Sequence, residues 1–338
     1  MKDTRSLHLL LPDILWPLEE DRLEKPPVRP TTLEKLFTRS RVVPFQSNDL
    51  TEALFNLFGI ANDSSADYPV GAVSFLGNGG DSFKRCWAKA TPVHLMADRD
   101  RVLLVGPDQL DINLNEAENL AREFNGHFEQ DGLSLLIQHQ DDWYLHLPEC
   151  PDITTHDIDF VVGRHIESYL PNGLDRSEWL NIVNETQMLF YQSSVNQQRM
   201  ASGCMTISGL WFYGFGGLPS VGQAYDAIYS AIPLAKGLAR LSNTPHYELQ
   251  NTFDEINCIE GETILIYMGF TDSKRALDLS QWEDALMHID RCISRVLNSN
   301  ACEELSIYNC RGKAFQVDRK RLRRGIWKLN KNIFSFAE

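Results

Sequence analysis

Two short runs, LHLLL at 7–11 and TILIYM at 263–268, are strongly apolar and lack the in–out alternation of a strand with one wet face. That pattern suits central strands of a parallel sheet, which helices cover on both sides. Further strand candidates are AVSFL at 72–76, RVLLV at 101–105, LSLLI at 133–137, WYLHL at 143–147 and LSIYN at 305–309. Segments of helical spacing alternate with them over most of the chain, so the fold class is α/β.

The helical segments are the clearer ones. NLNEAENLAREFNGHF sets Ala117, Leu120, Ala121, Phe124 and Phe128 on one stripe. SQWEDALMHIDRCISRVL opens with a capping box, Ser280 and Glu283, followed by Trp282, Leu286, Ile289, Ile293, Val296 and Leu297 at helical spacing. Other helices are expected over about 33–39, 176–201 and 223–241. The middle of the chain, about 81–162, has closely spaced strands and one convincing helix, the texture of a smaller inserted α+β unit. The proline-rich stretch EKPPVRPTT at 24–32 reads as a stiff connection. At 338 residues, about two domains are expected.

The net charge of −14 argues against wholesale binding to nucleic acid or an anionic membrane. The charge is uneven, because DRKRLRRGIWKLNK at 318–331 carries seven basic residues and one acid. A solvated helix face docked on an acidic body is the first reading of that segment, with RNA, a phosphoprotein or an acidic partner behind it. The seven cysteines form no CxxC pair, and nothing reads as a signal peptide or a membrane span. Reduced thiols in a cytoplasm of bacterial type are therefore expected.

Walker, HExxH, GxSxG and EF-hand signatures are all absent from the sequence. GNGGD at 77–81 reads as a turn. GLWFYGFGGLP at 209–219 places four glycines and four aromatic residues within eleven positions. Gly214, Gly216 and Gly217 permit positive φ and close backbone approach, while Trp211, Phe212, Tyr213 and Phe215 offer large buried surfaces. A sharp corner leaving a buried strand, beside a pocket, is the expectation. TPVHLMADRDR at 91–101 gathers His94, Asp98, Arg99 and Arg101, a set that would suit a phosphorylated or carboxylated ligand or else form a charged surface turn. Arg164 and His165 are a weaker set of the same kind. His8, His127, His139, His146 and His288 read as surface or packed residues.

In order, these pieces resemble the archaeal-type cofactor-independent phosphoglycerate mutases of the alkaline phosphatase superfamily. GLWFYGFGGLPS with YDAIYSAIPLAKGLARL is similar to that family's lWxWGxGxxPs and isaVdlxkGia; ADRDRVLL and RCWAKATPV are similar to its DRxAGRI and RcNlATV. A smaller group, the RpfE-type regulatory proteins, resembles the chain more closely through LLLPDILWP, TPVHLMADRDRVLLV, NETQMLFYQSSVNQQR and GLWFYGFGGLP. The resemblance implies an alkaline-phosphatase-like core, residues 1–80 plus 163–338, with a mostly parallel sheet flanked by helices. The smaller α+β domain, 81–162, is inserted in it.

True mutases of this family use two divalent metals and a phosphorylated serine, because paired cations stabilise the attacking and leaving oxygens of phosphoryl transfer. Carried over position by position, Asp13 stands for the first-strand aspartate, and Ser47 is the candidate nucleophile. Tyr267, Gly269 and Ala276 stand where His, Glu and His are expected, and only Asp272 remains. Asn309 and Cys310 replace an Asp–His pair, and no later histidine follows His288. The expectation is a fold kept without its metal site: a non-catalytic, cytoplasmic regulatory or ligand-binding protein with no cofactor. Asp13 and Asp272 would be vestigial, and His94, Arg99, Arg101, Trp211, Gly214 and Gly216 would serve the ligand. The alternative is an active phosphomutase or phosphatase with two manganese or magnesium ions and rearranged ligands.

Overall fold

The computed structural model describes residues 5–19, 28–61, 66–81, 86–249, 261–299, 302–318, 321–322 and 330–336. Most of the basic segment 318–331 and part of the proline-rich stretch lie outside the described residues. The chain divides into two compact units, Met1–Ile60 with Val221–Glu338, and Ala61–Ser220.

The first unit is built on a seven-stranded sheet in the order His246–Tyr247, Ala227–Tyr229, Glu262–Ile266, Ser6–Leu10, Glu304–Tyr308, Lys313–Asp318, Arg41–Pro44. The first five strands run parallel, Lys313–Asp318 runs against them, and Arg41–Pro44, antiparallel to that strand, runs with the first five. Ser6–Leu10 is central, pairing with Glu262–Ile266 on one side and Glu304–Tyr308 on the other. Leu7 and Leu9 bury one face of it against Trp282, Leu286, Ile289 and Ile293 of the helix Leu279–Asn298. The expected apolar stripe is therefore the buried one.

The start of that helix differs from expectation. Asp278 is the N-cap and accepts from the Gln281 amide at 3.0 Å, leaving Ser280 inside the first turn. A carboxylate is a strong cap, and its charge suits the positive helix end. Further along, buried Asp290 accepts from the Leu33 amide at 2.8 Å, capping the helix Thr31–Arg39, whose own N-cap is Pro30. Burial raises the carboxyl pKa of Asp290. In place of a helix over 223–241 there is a strand, Ala227–Tyr229, then a helix, Pro233–Ser242, with proline in its first turn and Asn243 in left-handed conformation at its end.

The second unit contains a five-stranded antiparallel sheet around the long strand Cys86–Asp98. It pairs with Arg101–Val105, Asp142–Leu147 and Gly209–Gly216, and Ser134–His139 adds to Asp142–Leu147. The helix Leu114–His127 has a complete capping box, Asn113 with Glu116, and buries Ala117, Leu120, Ala121 and Phe124 against this sheet's core. Residues 72–76, expected as a strand, belong to the helix Val70–Gly77. An apolar run buried all round has no period to separate the two states. A Cβ on Gly71 would lie 2.4 Å from the Ala88 Cα, so glycine lets this helix press onto the strand backbone.

The unit boundaries correct the expected 81–162. Gly209–Gly216 pairs with Cys86–Asp98 and is not a strand of the parallel sheet, which brings 163–220 into the second unit. The thiols also differ from expectation, because Cys86 and Cys150 form a disulfide. Register explains the meeting: Cys86 pairs with Leu147, and Cys150 follows three residues later with its Cα 5.2 Å from that of Cys86. Among the described residues no helix is long and apolar enough to cross a membrane.

His8, on the central strand opposite Leu7 and Leu9, meets the Tyr308 hydroxyl at 2.9 Å and lies between the rings of Tyr308 and Tyr225. Burial lowers its pKa from an ordinary 6.5 to about 4. The unfolded chain therefore binds a proton that the folded chain refuses, and stability falls as pH drops from 6.5 toward 4. The loss attributable to this residue is at most about 3 kcal/mol. Urea unfolding at stepped pH should show this slope in the native protein and a shallower one in His8→Gln.

Candidate functional site

The glycine–aromatic stretch is a strand and not a corner. Trp87 pairs with Gly216 and Lys89 with Tyr213, so the register shifts by a bulge between them. Gly214, at φ 68, and Phe215 point their amides at the Asp67 carboxylate, at 3.1 and 3.3 Å. Asp67 also takes the Thr155 amide and hydroxyl. A Cβ at Gly214 would lie 2.6 Å from the Val70 Cβ, and one at Gly216 would lie 2.7 Å from the Pro69 Cβ. Both glycines therefore admit the 67–70 segment against the bulge. Trp211 donates its indole N–H to the His156 carbonyl at 2.8 Å.

The basic set at 91–101 is not gathered at one point. Arg99, at φ 57, and Asp100 form the two-residue turn closing the pair Asp98–Arg101, and both arginines are exposed. His94 pairs with Val105 four residues back from Asp98, about 13 Å along the strand. Its Nδ1 faces the Thr206 carbonyl at 2.9 Å and the Thr206 and Ser208 hydroxyls at 3.2 Å. His165 pairs with Asp98 at 3.1 Å, and Arg164 donates to the Tyr169 hydroxyl. Buried Asn196 and Arg199, from the NETQ…VNQQR motif, hold the loop before the glycine strand. Asn196 binds Phe190 and Ile207, and Arg199 binds Met205 and Glu116.

At the carboxyl ends of the central parallel strands a different group assembles. Asp13, three residues beyond Ser6–Leu10, sits at φ 58, a conformation that aspartate tolerates better than most residues. Its Oδ1 accepts from Lys274 Nζ at 2.8 Å and from Arg311 Nη2 at 3.1 Å, and its Oδ2 from Thr271 Oγ1 at 3.1 Å. Thr271 and Lys274 share a face of the helix Gly269–Arg275, which follows Glu262–Ile266; Arg311 lies in the turn after Glu304–Tyr308. Asp272, between them in sequence, falls about 100° round the helix from Thr271. One carboxylate and two cations leave a net positive charge. No local motif announces Lys274 or Arg311, which lie 261 and 298 positions from Asp13.

The neighbours of this cluster complete its chemistry. Gly269 lies under the Tyr267 hydroxyl, which a Cβ there would approach to 2.4 Å. The two residues thus fit as a pair, and burial pushes the Tyr267 phenol up to about 12. Asn309 folds its side chain onto the amides of Arg311 and Lys313. The Cys310 thiol is buried, and burial, followed by the charges of Asp49 and Asp13, raises its pKa well above the usual range. Ser47 accepts from the Gly312 amide at 2.7 Å through its carbonyl. Its side-chain hydroxyl is buried with no hydrogen-bond partner among the described residues, just ahead of the helix Leu50–Leu57, whose N-terminus Asp49 caps.

Comparison with known proteins follows from this fold. No family model matches the chain. Among solved structures, the PH0037 protein from Pyrococcus horikoshii superposes with a TM-score of 0.59 over 94% of this chain and 88% of that one, at 14% identity. The cofactor-independent phosphoglycerate mutase from Thermoplasma acidophilum DSM 1728 aligns over 100% of this chain and 95% of that one, with a TM-score of 0.45 and 15% identity. The class is therefore mixed α/β with a mostly parallel sheet flanked by helices. In sequence, the 2,3-bisphosphoglycerate-independent phosphoglycerate mutase of Methanothrix thermoacetophila is 28% identical over 98 residues, 27% of this chain. That match spans a quarter, 25%, of the relative's length. Over that stretch the chain is similar to a phosphoglycerate mutase.

Two outcomes follow from the local geometry. Gly214→Ala should lower stability by about 1–3 kcal/mol, from positive φ and the contact with Val70, read as a drop in the urea midpoint. Brief iodoacetamide treatment of native protein should label exposed Cys204 and leave Cys310 unmodified until denaturant is added, as peptide mass mapping will read.

Proposed function

We propose that the protein is a non-catalytic phosphoglycerate mutase-like protein acting as a regulatory or ligand-binding module. One observation carries this reading: the Asp13 carboxylate is bound by Lys274 and Arg311. A pair of hard divalent cations needs several carboxylate or imidazole donors at fixed positions. Among the described residues no group of three or more His, Cys, Asp or Glu side chains is arranged to hold a metal. An ammonium and a guanidinium on the one aspartate add charge repulsion against an incoming cation. The residues at this end of the sheet do not fit a dinuclear centre, so no catalytic step is derived through one.

The same balance of charge suits a small phosphorylated or carboxylated ligand, with Lys274 and Arg311 as its cationic contacts in place of the separated His94, Arg99 and Arg101. A regulatory role of the RpfE type belongs to this reading; the cytoplasmic setting, expected from reduced thiols, loses that support. The Cys86–Cys150 disulfide weighs against a reducing compartment. A second reading, an active phosphotransferase, is favoured by the Ser47 hydroxyl, because burying such a group unpaired costs about 1–3 kcal/mol and functional sites tolerate that cost.

Purified protein, dialysed and assayed for metals and for phosphoglycerate mutase turnover with manganese, separates the two. Substoichiometric metal, no turnover and no change in Asp13→Ala are expected. Two ions per chain, with turnover that Asp13→Ala abolishes or a phosphate found on Ser47 by peptide mass spectrometry, would establish the second reading instead.

A further inference from the structure

Within the unit Ala61–Ser220 a half-open cavity of about 520 Å³ lies between the sheet and the helix Arg176–Gln192. Val93, Leu95 and Ala97 line it from alternate positions of the strand Cys86–Asp98, so they share one face. Leu180 and Val183 face them from the helix, and Trp211 adds its ring. The indole N–H of Trp211 is already donated to His156, so the cavity meets an apolar surface there. His94, on the opposite face of the same strand, has no part in it. Among the described residues no charged side chain lines this space.

Two polar groups interrupt the apolar wall. Asn184 and Gln187 lie three residues apart on the same helix face and both line the cavity. Asn184 is exposed and Gln187 half-buried, and neither carboxamide has a hydrogen-bond partner among the described residues, so a ligand would replace water on both. Each carboxamide offers a donor and an acceptor. Gly209 fixes part of this arrangement, since a Cβ there would lie 3.1 Å from the Gln187 Cγ.

Size, wall chemistry and these free amides together identify a kind of ligand. Small-molecule sites have volumes of roughly 300–1,000 Å³, mostly apolar walls and a few convergent polar groups. Walls without charge penalise an anion that must shed its water with nothing to replace it. Paired carboxamides reward a neutral edge that both donates and accepts. We propose that this cavity binds a neutral, largely apolar small molecule with an amide- or lactam-type edge, read by Asn184 and Gln187. The site is independent of the Asp13 cluster and stands whichever reading of that cluster holds.

The test uses the full chain and the neutral fluorophore N-phenyl-1-naphthylamine, displaced by three compounds of similar size: acetanilide, ethylbenzene and phenylacetate. Saturable binding of one fluorophore per chain is expected. Acetanilide should displace it about tenfold more effectively than ethylbenzene, and phenylacetate should be weakest. The double variant Asn184→Leu/Gln187→Leu should erase the preference for acetanilide, and Val183→Trp should abolish fluorophore binding with the melting temperature kept. Ala97→Trp, at a more exposed wall position, replaces Val183→Trp if that variant does not fold. Fluorophore binding unchanged in a folded filling variant, phenylacetate matching acetanilide, or a preference that survives the double variant would each overturn the proposal.

Discussion

The parallel pairing of Ser6–Leu10 with Glu262–Ile266 and Glu304–Tyr308 is the constraint on which the first unit depends. It joins parts of the chain some 250 to 300 residues apart and sets all three carboxyl ends side by side. Loops leaving the carboxyl ends of parallel strands converge on one edge of the sheet, where ligands of open α/β folds gather. Asp13, the helix carrying Thr271 and Lys274, and the turn carrying Arg311 each follow one of these three strands. The cluster is therefore a consequence of the ladder, and a slip in its register would separate the carboxylate from both cations. Such long-range pairing also makes folding slow, because chain entropy must be lost before the contacts form.

The Asp13 charge is over-compensated from within the cluster. The Asp13 side chain is 13% exposed, against 30% for Lys274 and 40% for Arg311, so the cations keep much of their hydration while the carboxylate loses most of its own. Exposed ion pairs contribute little stability, about 0–1 kcal/mol each. The effect of the arrangement is chemical: both cations occupy the carboxylate that a bound metal ion would need. The fit of Tyr267 over Gly269 has the same character. A side chain at 269 would collide with the phenol, so Gly269 cannot become a ligating residue unless Tyr267 moves or changes.

In the second unit the polar interactions go to shaping the backbone. Asp67 binds both amides of the bulge in the glycine strand, and Asn196 and Arg199 bind the loop that leads into it. Hydrogen bonds from buried charged or amide side chains to main-chain groups compensate for the pairing that the bulge and the loop lose. The Asn184 and Gln187 amides differ in kind, because they face a half-open cavity and serve no main-chain group.

The sequence by itself determined most elements whose own stretch of chain carries a clear period or an unbroken apolar run. Six of the seven proposed strands, the stripe of Leu279–Asn298 and the helix Leu114–His127 were legible because period and burial agree there. It did not determine residues 72–76, where an apolar run has no period, nor the course of 209–216, whose glycines read as a corner while their partner strand lay more than a hundred residues earlier. Asp13 was visible as a candidate, but what it binds was not. Lys274 and Arg311 look like ordinary surface cations until the parallel ladder carries them to the same carboxylate. Only tertiary structure decided that, because an ion pair depends on distance in space and the chain encodes that distance through the whole sheet.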